Sequence, residues 1–128
     1  MPRIGTGLRW LPTMNFRRGD IVLVLFPDSN LRTAKRRPAL VVQADQLGTG
    51  LPQTIVAMIT SNMARAGHSS RVVVRLDTGS AKESGLLTDS VIMTDNLATI
   101  HDSEIDRVIG VLMDRAELDA ALRTTLAL

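Results

Sequence analysis

The sequence predicts a mainly β domain with small α helices, a small barrel or strongly coiled sheet closed by a C-terminal helix. Three observations carry this. Six short apolar runs are each bounded by Gly, Pro, Asp or Ser, the punctuation of strands and turns. The final stretch changes from a strand-like to a helical period. Aromatic residues make up only 2% of the chain (Trp10, Phe16 and Phe26), so the core is aliphatic. At 128 residues the chain reads as one domain with a core of its own.

Residues 1–15, "MPRIGTGLRWLPTMN", have no period and read as an N-terminal extension or arm, with Met14 as a second start of translation. The domain proper is residues 16–128. Its first strand is 21–26, continuously apolar, preceded by Gly19-Asp20 and closed by Pro27. Such a run is buried on both faces. The second is 39–42, with Pro38 starting it, a position that tolerates proline. The third is 54–60, "TIVAMIT"; the fourth 71–76, "RVVVRL"; the fifth 90–94, "SVIMT". The sixth is 107–113, where Gly110 marks a bulge or a close backbone approach. Residues 102–106 suit a helical turn. Asp114 and Glu117 then have the spacing of a capping box, and Leu118, Leu122 and Leu126 fall on one helical stripe.

Charge is unevenly placed. Residues 1–37 carry eight Lys/Arg against two Asp/Glu, whereas residues 38–128 carry seven against eleven. A split of this kind suggests an anionic partner for the first third; a solvated basic arm explains it equally. With no Cys there is no disulfide and no thiolate metal site, and two histidines alone do not make the usual zinc site. No metal or other cofactor is expected. No apolar run is of membrane-spanning length and no signal peptide is evident, so the expected location is the cytoplasm, away from membranes.

Four places could carry chemistry. The loop "PDSNLRTAKRRP" ends in Lys35, Arg36 and Arg37. Pro38 disfavours the helical region for Arg37, which is therefore extended and can aim its fork of donors at a phosphate. The alternative is a solubilising loop. "ITSN" places Thr60, Ser61 and Asn62 where the third strand runs out, as turn caps or as donors to phosphate oxygens. "VIMTDN" carries Asp95 and Asn96 off the fifth strand, where the carboxylate is a general base or simply begins an Asx-turn. His68 and His101 read as loop histidines without a catalytic role. There is no phosphate-binding glycine loop, dinucleotide fingerprint or nucleophile elbow.

In order, "RRGDIVLVLFP", "KRRPALVVQ", "VAMITSN", "GLLTDSVIMTDNLATI" and "IGVLMDRAELDAALRTTLAL" resemble the PemK/MazF family of toxin–antitoxin toxins, over nearly all of residues 16–128. The resemblance implies an SH3-like barrel of the CcdB/PemK type. It also implies a homodimeric, metal-independent endoribonuclease cutting single-stranded RNA, an mRNA interferase neutralised by a short, acidic, partly disordered antitoxin. Residue by residue, Arg37 matches the catalytic arginine, Thr60 the threonine acting with it, and Asp95 the acidic position. Lys35, Arg36, Arg32, Ser61, Asn62, Arg71 and Asn96 make up the expected RNA-binding set. This chain looks like a divergent branch of the family, with Met93 and Ala98 where other members have arginines. Those two residues favour a second reading, a PemK-like binding module for RNA or protein with weakened catalysis. A CcdB-like gyrase inhibitor is a third, resting on fold alone.

Overall fold

The computed structural model describes residues 16–27, 30 and 32–128; the expected arm at 1–15 and Met14 lie outside the described residues. Six strands are present: β1 (Asp20–Pro27), β2 (Ala34–Val41), β3 (Gln53–Thr60), β4 (Arg71–Val74), β5 (Ser90–His101) and β6 (Ile105–Val111). They form one antiparallel sheet in the order β4-β5-β3-β2-β1-β6, followed by one helix, α1 (Arg115–Leu126). Short 3-10 turns occupy Met63–Arg65, Gly79–Ser84 and Asp102–Glu104. The fold class is as expected, with one correction. The sheet does not close, because β4 and β6 are its edges. No described helix is long and apolar enough to cross a membrane.

The continuous apolar runs exist because the sheet is buried on both faces. Along β1, Ile21 joins one core with Leu40, Ala57, Ile92 and Leu118, while its neighbours Val22 and Val24 join a second with Ala39, Val41 and Val56. Alternation along a strand divides one run between two cores. Each fully buried Leu or Ile contributes about 1.5–3 kcal/mol of transfer free energy.

Several boundaries differ from expectation, each for a long-range reason. β2 begins at Ala34, so Pro38 lies inside the strand. Its ladder with β1 runs the whole length, from Pro27↔Ala34 to Ile21↔Leu40, but its ladder with β3 includes only Ala39, Leu40 and Val41. Up to Pro38, β2 is therefore an edge on that side, where a missing N–H costs no ladder bond. β5 continues to His101, so Asp95 and Asn96 sit within a strand and start no turn. β4 ends at Val74, and β6 begins at Ile105 rather than 107. The turn expected at 102–106 is the 3-10 turn Asp102–Glu104, closed by a capping box with His101. The box expected at the helix start does not form, because the Asp114 side chain makes no cap bond. Of the leucine stripe, Leu118 is fully buried while Leu126 is half exposed; Ala121 shares the buried face.

Gly110 fulfils both readings offered for it. Ile21 pairs with Gly110 and Val22 with Val108, leaving Ile109 as a bulge. A Cβ on Gly110 would also strike the Ser84 backbone. One residue on, Gly85 has φ +71° and abuts the Ile109 backbone. These contacts seat the Gly79–Ser84 turn against β6 and cover part of an open sheet edge.

Candidate functional site

Where β2 and β3 part, a groove of about 730 Å³ opens. Arg37 and Pro38 line it from β2, Thr60 and Ser61 from the end of β3, and Asn96 from β5. The expected residues Arg37, Thr60, Ser61 and Asn96 are thus brought together from segments far apart in sequence, with Arg36 on the rim. The floor is apolar and includes Leu23, Met58, Met93, Leu86 and Ile109. Among the described residues, three arginines line the groove (Arg36, Arg37 and Arg107) and no carboxylate does. That excess positive charge faces a partly apolar wall, where a phosphate interaction is less screened than in open water.

Arg37 lies in extended backbone opposite the fully buried Val24 and, among the described residues, forms no ion pair. Its backbone is held in the strand, and its guanidinium is an always-charged planar fork with unspent donors. Thr60 ends β3, and its Oγ1 accepts the Asn62 N–H at 3.1 Å, which leaves the hydroxyl proton to donate. Asn62 is used structurally, its Oδ1 accepting the Ala64 N–H at 3.1 Å to cap the Met63–Arg65 turn, and it does not line the groove. Arg36 pairs with Asp106 at 3.3 Å, and the same carboxylate lies 3.9 Å from Arg107. Lys35 and Arg32 are exposed and outside the groove lining.

Asp95 and Arg71 are not in the groove. They bind each other bidentately, Nε to Oδ1 at 2.9 Å and Nη2 to Oδ2 at 2.6 Å, and Arg71 Nη1 donates to the Arg65 carbonyl at 2.7 Å. The hydrogen bonds from Arg71 hold the Asp95 carboxyl below its ordinary value, against a smaller opposing effect of burial; the Arg71 guanidinium is raised in turn. A carboxylate occupied on both oxygens is poorly placed to take a proton. His68 and His101 each accept a backbone N–H on Nδ1, from Ser70 and Ser103, and neither lines the groove. Among the described residues no group of three His, Asp or Glu could hold a metal ion.

Arg107 and Met58 were not foreseen. Arg107 pairs with Leu23, which pairs with Pro38, so one row across β6, β1 and β2 supplies one wall. No local signal in the sequence reveals that β6 lies beside β1. Ala98, by contrast, packs against the core around Val56 and lies away from the groove.

The profile of the PemK-like, MazF-like toxins of type II toxin–antitoxin systems matches residues 17–126. An endoribonuclease of Mycobacterium tuberculosis, MazF6, is 34% identical over 105 residues, covering 81% of this chain and 90% of that protein. The Bacillus subtilis endoribonuclease EndoA is 32% identical over 118 residues, covering 90% and 97%. Among solved structures, the Mycobacterium tuberculosis toxin MazF-mt6 superposes with a TM-score of 0.67 at 25% identity, covering 85% of this chain and 97% of that one. A mycobacterial endoribonuclease in complex with its cognate antitoxin gives 0.66 at 19% identity, covering 88% and 96%, a likeness of fold.

Proposed function

The chain belongs to the PemK-like, MazF-like toxins of type II toxin–antitoxin systems, and from that premise we propose that it is an endoribonuclease cutting single-stranded RNA without a metal. The observation that carries the reading is the groove itself, with Arg37 and the Thr60 hydroxyl on two walls and, among the described residues, no ion pair to Arg37 and no carboxylate in the lining. The ribose 2′-oxygen attacks the adjacent phosphorus and the bond to the 5′-oxygen breaks. A 2′,3′-cyclic phosphate and a 5′-hydroxyl result, and the proton lost by the 2′-oxygen is matched by one gained at the leaving oxygen. Charge builds on the non-bridging oxygens in the transition state, and Arg37 with Thr60 stabilises it there. A guanidinium is too weak a base to remove the proton, so Arg37 acts through its charge and its donors.

In this reading Ser61 and Asn96 contact the strand inside the groove, Arg36 and Arg107 hold its backbone at the rim, and Lys35 and Arg32 attract it from outside. Residues 16–128 are the toxin domain and 1–15 an arm. The protein acts as a homodimer in the cytoplasm. An antitoxin with an acidic, extended segment neutralises it by occupying the same positive groove.

The test is cleavage of purified single-stranded RNA in chelator. Wild type cuts and Arg37→Ala does not. RNA bound but never cut, across a broad panel of sequences, supports the binding-module reading instead, which Met93 in the groove floor favours.

A further inference from the structure

The β3–β5 ladder skips three residues. Ala57 pairs with Leu97 and Met58 with Met93, leaving Thr94, Asp95 and Asn96 without partners in β3. This bulge is fastened on both sides. Thr94 points into the protein, its Oγ1 donating to the Ser70 carbonyl at 2.6 Å and meeting Thr125 Oγ1 at 2.7 Å. Asp95 is held outside by Arg71. Asn96, the third residue, lines the groove.

Arg71 also reaches the other wall. Its Nη1 holds the Arg65 carbonyl, the end of the Met63–Arg65 turn, which Asn62 caps and whose cap N–H is bonded to Thr60. A continuous chain of hydrogen bonds therefore runs from Thr60 through Asn62, the turn, Arg71 and Asp95 to the bulge that carries Asn96. We infer that Arg71 and Asp95 are positioning residues, a clamp that sets Asn96 against the bound strand and braces the turn below Thr60. The inference rests on the ribonuclease reading for its effect on RNA. It moves Asp95 from proton transfer to placement of a neighbour, and Arg71 from contact with RNA to the same task.

Placement errors near one ångström cost up to about a hundredfold in rate. Asp95→Asn and Arg71→Met are thus expected to lower kcat/KM by about ten- to a hundredfold, and Arg71→Lys, which keeps the charge and one donor, by less. The distinguishing readout is base preference. Loss of the clamp changes which base is favoured at one position of the cleavage site, as Asn96→Ala does. The Asp95→Asn, Asn96→Ala double variant is no worse than the poorer single one. Wild-type kcat/KM in the clamp variants, or a uniform loss over all sequences that adds to that of Asn96→Ala, overturns the inference. Amide hydrogen exchange supplies a readout free of RNA. Faster exchange in Asp95→Asn at residues 62–66 and 94–97 is expected, and unchanged exchange overturns the clamp. Failure of the ribonuclease reading looks different, since wild type and Arg37→Ala would then both leave RNA intact whatever the exchange shows.

Discussion

Met58 faces Met93 across the β3–β5 ladder although its neighbour Ala57 faces Leu97. This slip creates the bulge, and Thr94 anchors it beneath α1 through Ser70, Ala121 and Thr125. Thr94 is wholly buried, and its N–H also donates to the Ser70 carbonyl at 3.1 Å, so backbone and side chain hold the bulge together. Thr94→Val keeps the shape and removes the hydroxyl's bonds, with an expected loss of about 1 kcal/mol. Urea unfolding measures it, and a change below about 0.5 kcal/mol would mean that the bulge is held by other contacts.

Arg37 has no acid to satisfy within the described fold, so removing it is cheap for stability and costly for function. Arg37→Ala is expected to lower kcat by about a hundred- to a thousandfold, the usual consequence of losing one transition-state donor. Its melting temperature should stay close to wild type. Arg37→Lys is expected to recover little, because an ammonium lacks the planar fork. A fluorogenic RNA oligonucleotide reports both.

Lys35 and Arg36 adjoin each other but stand in different electrostatic situations. Lys35 is exposed without a described ion pair, whereas Arg36 already faces Asp106. If Lys35 meets a phosphate, Lys35→Ala reduces the slope of log affinity against log salt by about 0.7. Arg36→Ala, which also frees Asp106, should weaken binding with a smaller change in slope per kilocalorie lost. Titrations of uncleavable RNA at several salt concentrations separate the two.

Asp95 has a depressed carboxyl pKa, chiefly through its hydrogen bonds from Arg71, helped by nearby His68 and opposed by burial. A group depressed on folding stabilises the protein above its unfolded value, near 3.8 here, and loses that contribution as the pH falls through the lower folded value. From about pH 5 to 8 it therefore remains ionised and contributes no limb to a rate profile. The pH dependence of kcat/KM is expected to keep its shape in Asp95→Asn while its height falls. An acid-side limb present in wild type and missing in the variant would restore Asp95 as the proton acceptor.

Gly85 combines a φ of +71° with a Cβ position that strikes the Ile109 backbone, whereas Gly67 has φ +92° and open space around it. Gly67→Ala meets only backbone strain, about 1–2 kcal/mol. Gly85→Ala adds a collision with a main-chain group that cannot rotate aside, for a total cost of about 3 kcal/mol or more. Thermal unfolding of the two variants isolates the contact between the Gly79–Ser84 turn and β6. Equal losses would show that the turn can be moved away without cost.

The strand centres were legible because they are buried on both faces, and a run such as 21–26 has little other use. The polar parts of strands were not. Residues 34–37 of β2 are held by pairing to β1 alone, and Asp95–Thr99 continue β5 although their composition suits a turn. Pairing partners lie far along the chain and leave no local period. The site followed the same division. Arg37 and Thr60 stand at strand features visible locally, and both line the groove. Arg107 depends on β6 lying beside β1, and the occupation of Asp95 by Arg71 depends on β4 lying beside β5. Neither adjacency is written in neighbouring residues.

The first strand of this sheet is zipped to the last, Asp20 opposite Val111, and one wall of the groove belongs to that last strand. During synthesis Arg37 and Thr60 leave the ribosome long before Arg107 and Ile109 can dock. A growing chain therefore carries its charged and hydroxyl groups on an unfinished surface, and the complete groove forms only once nearly the whole chain has emerged.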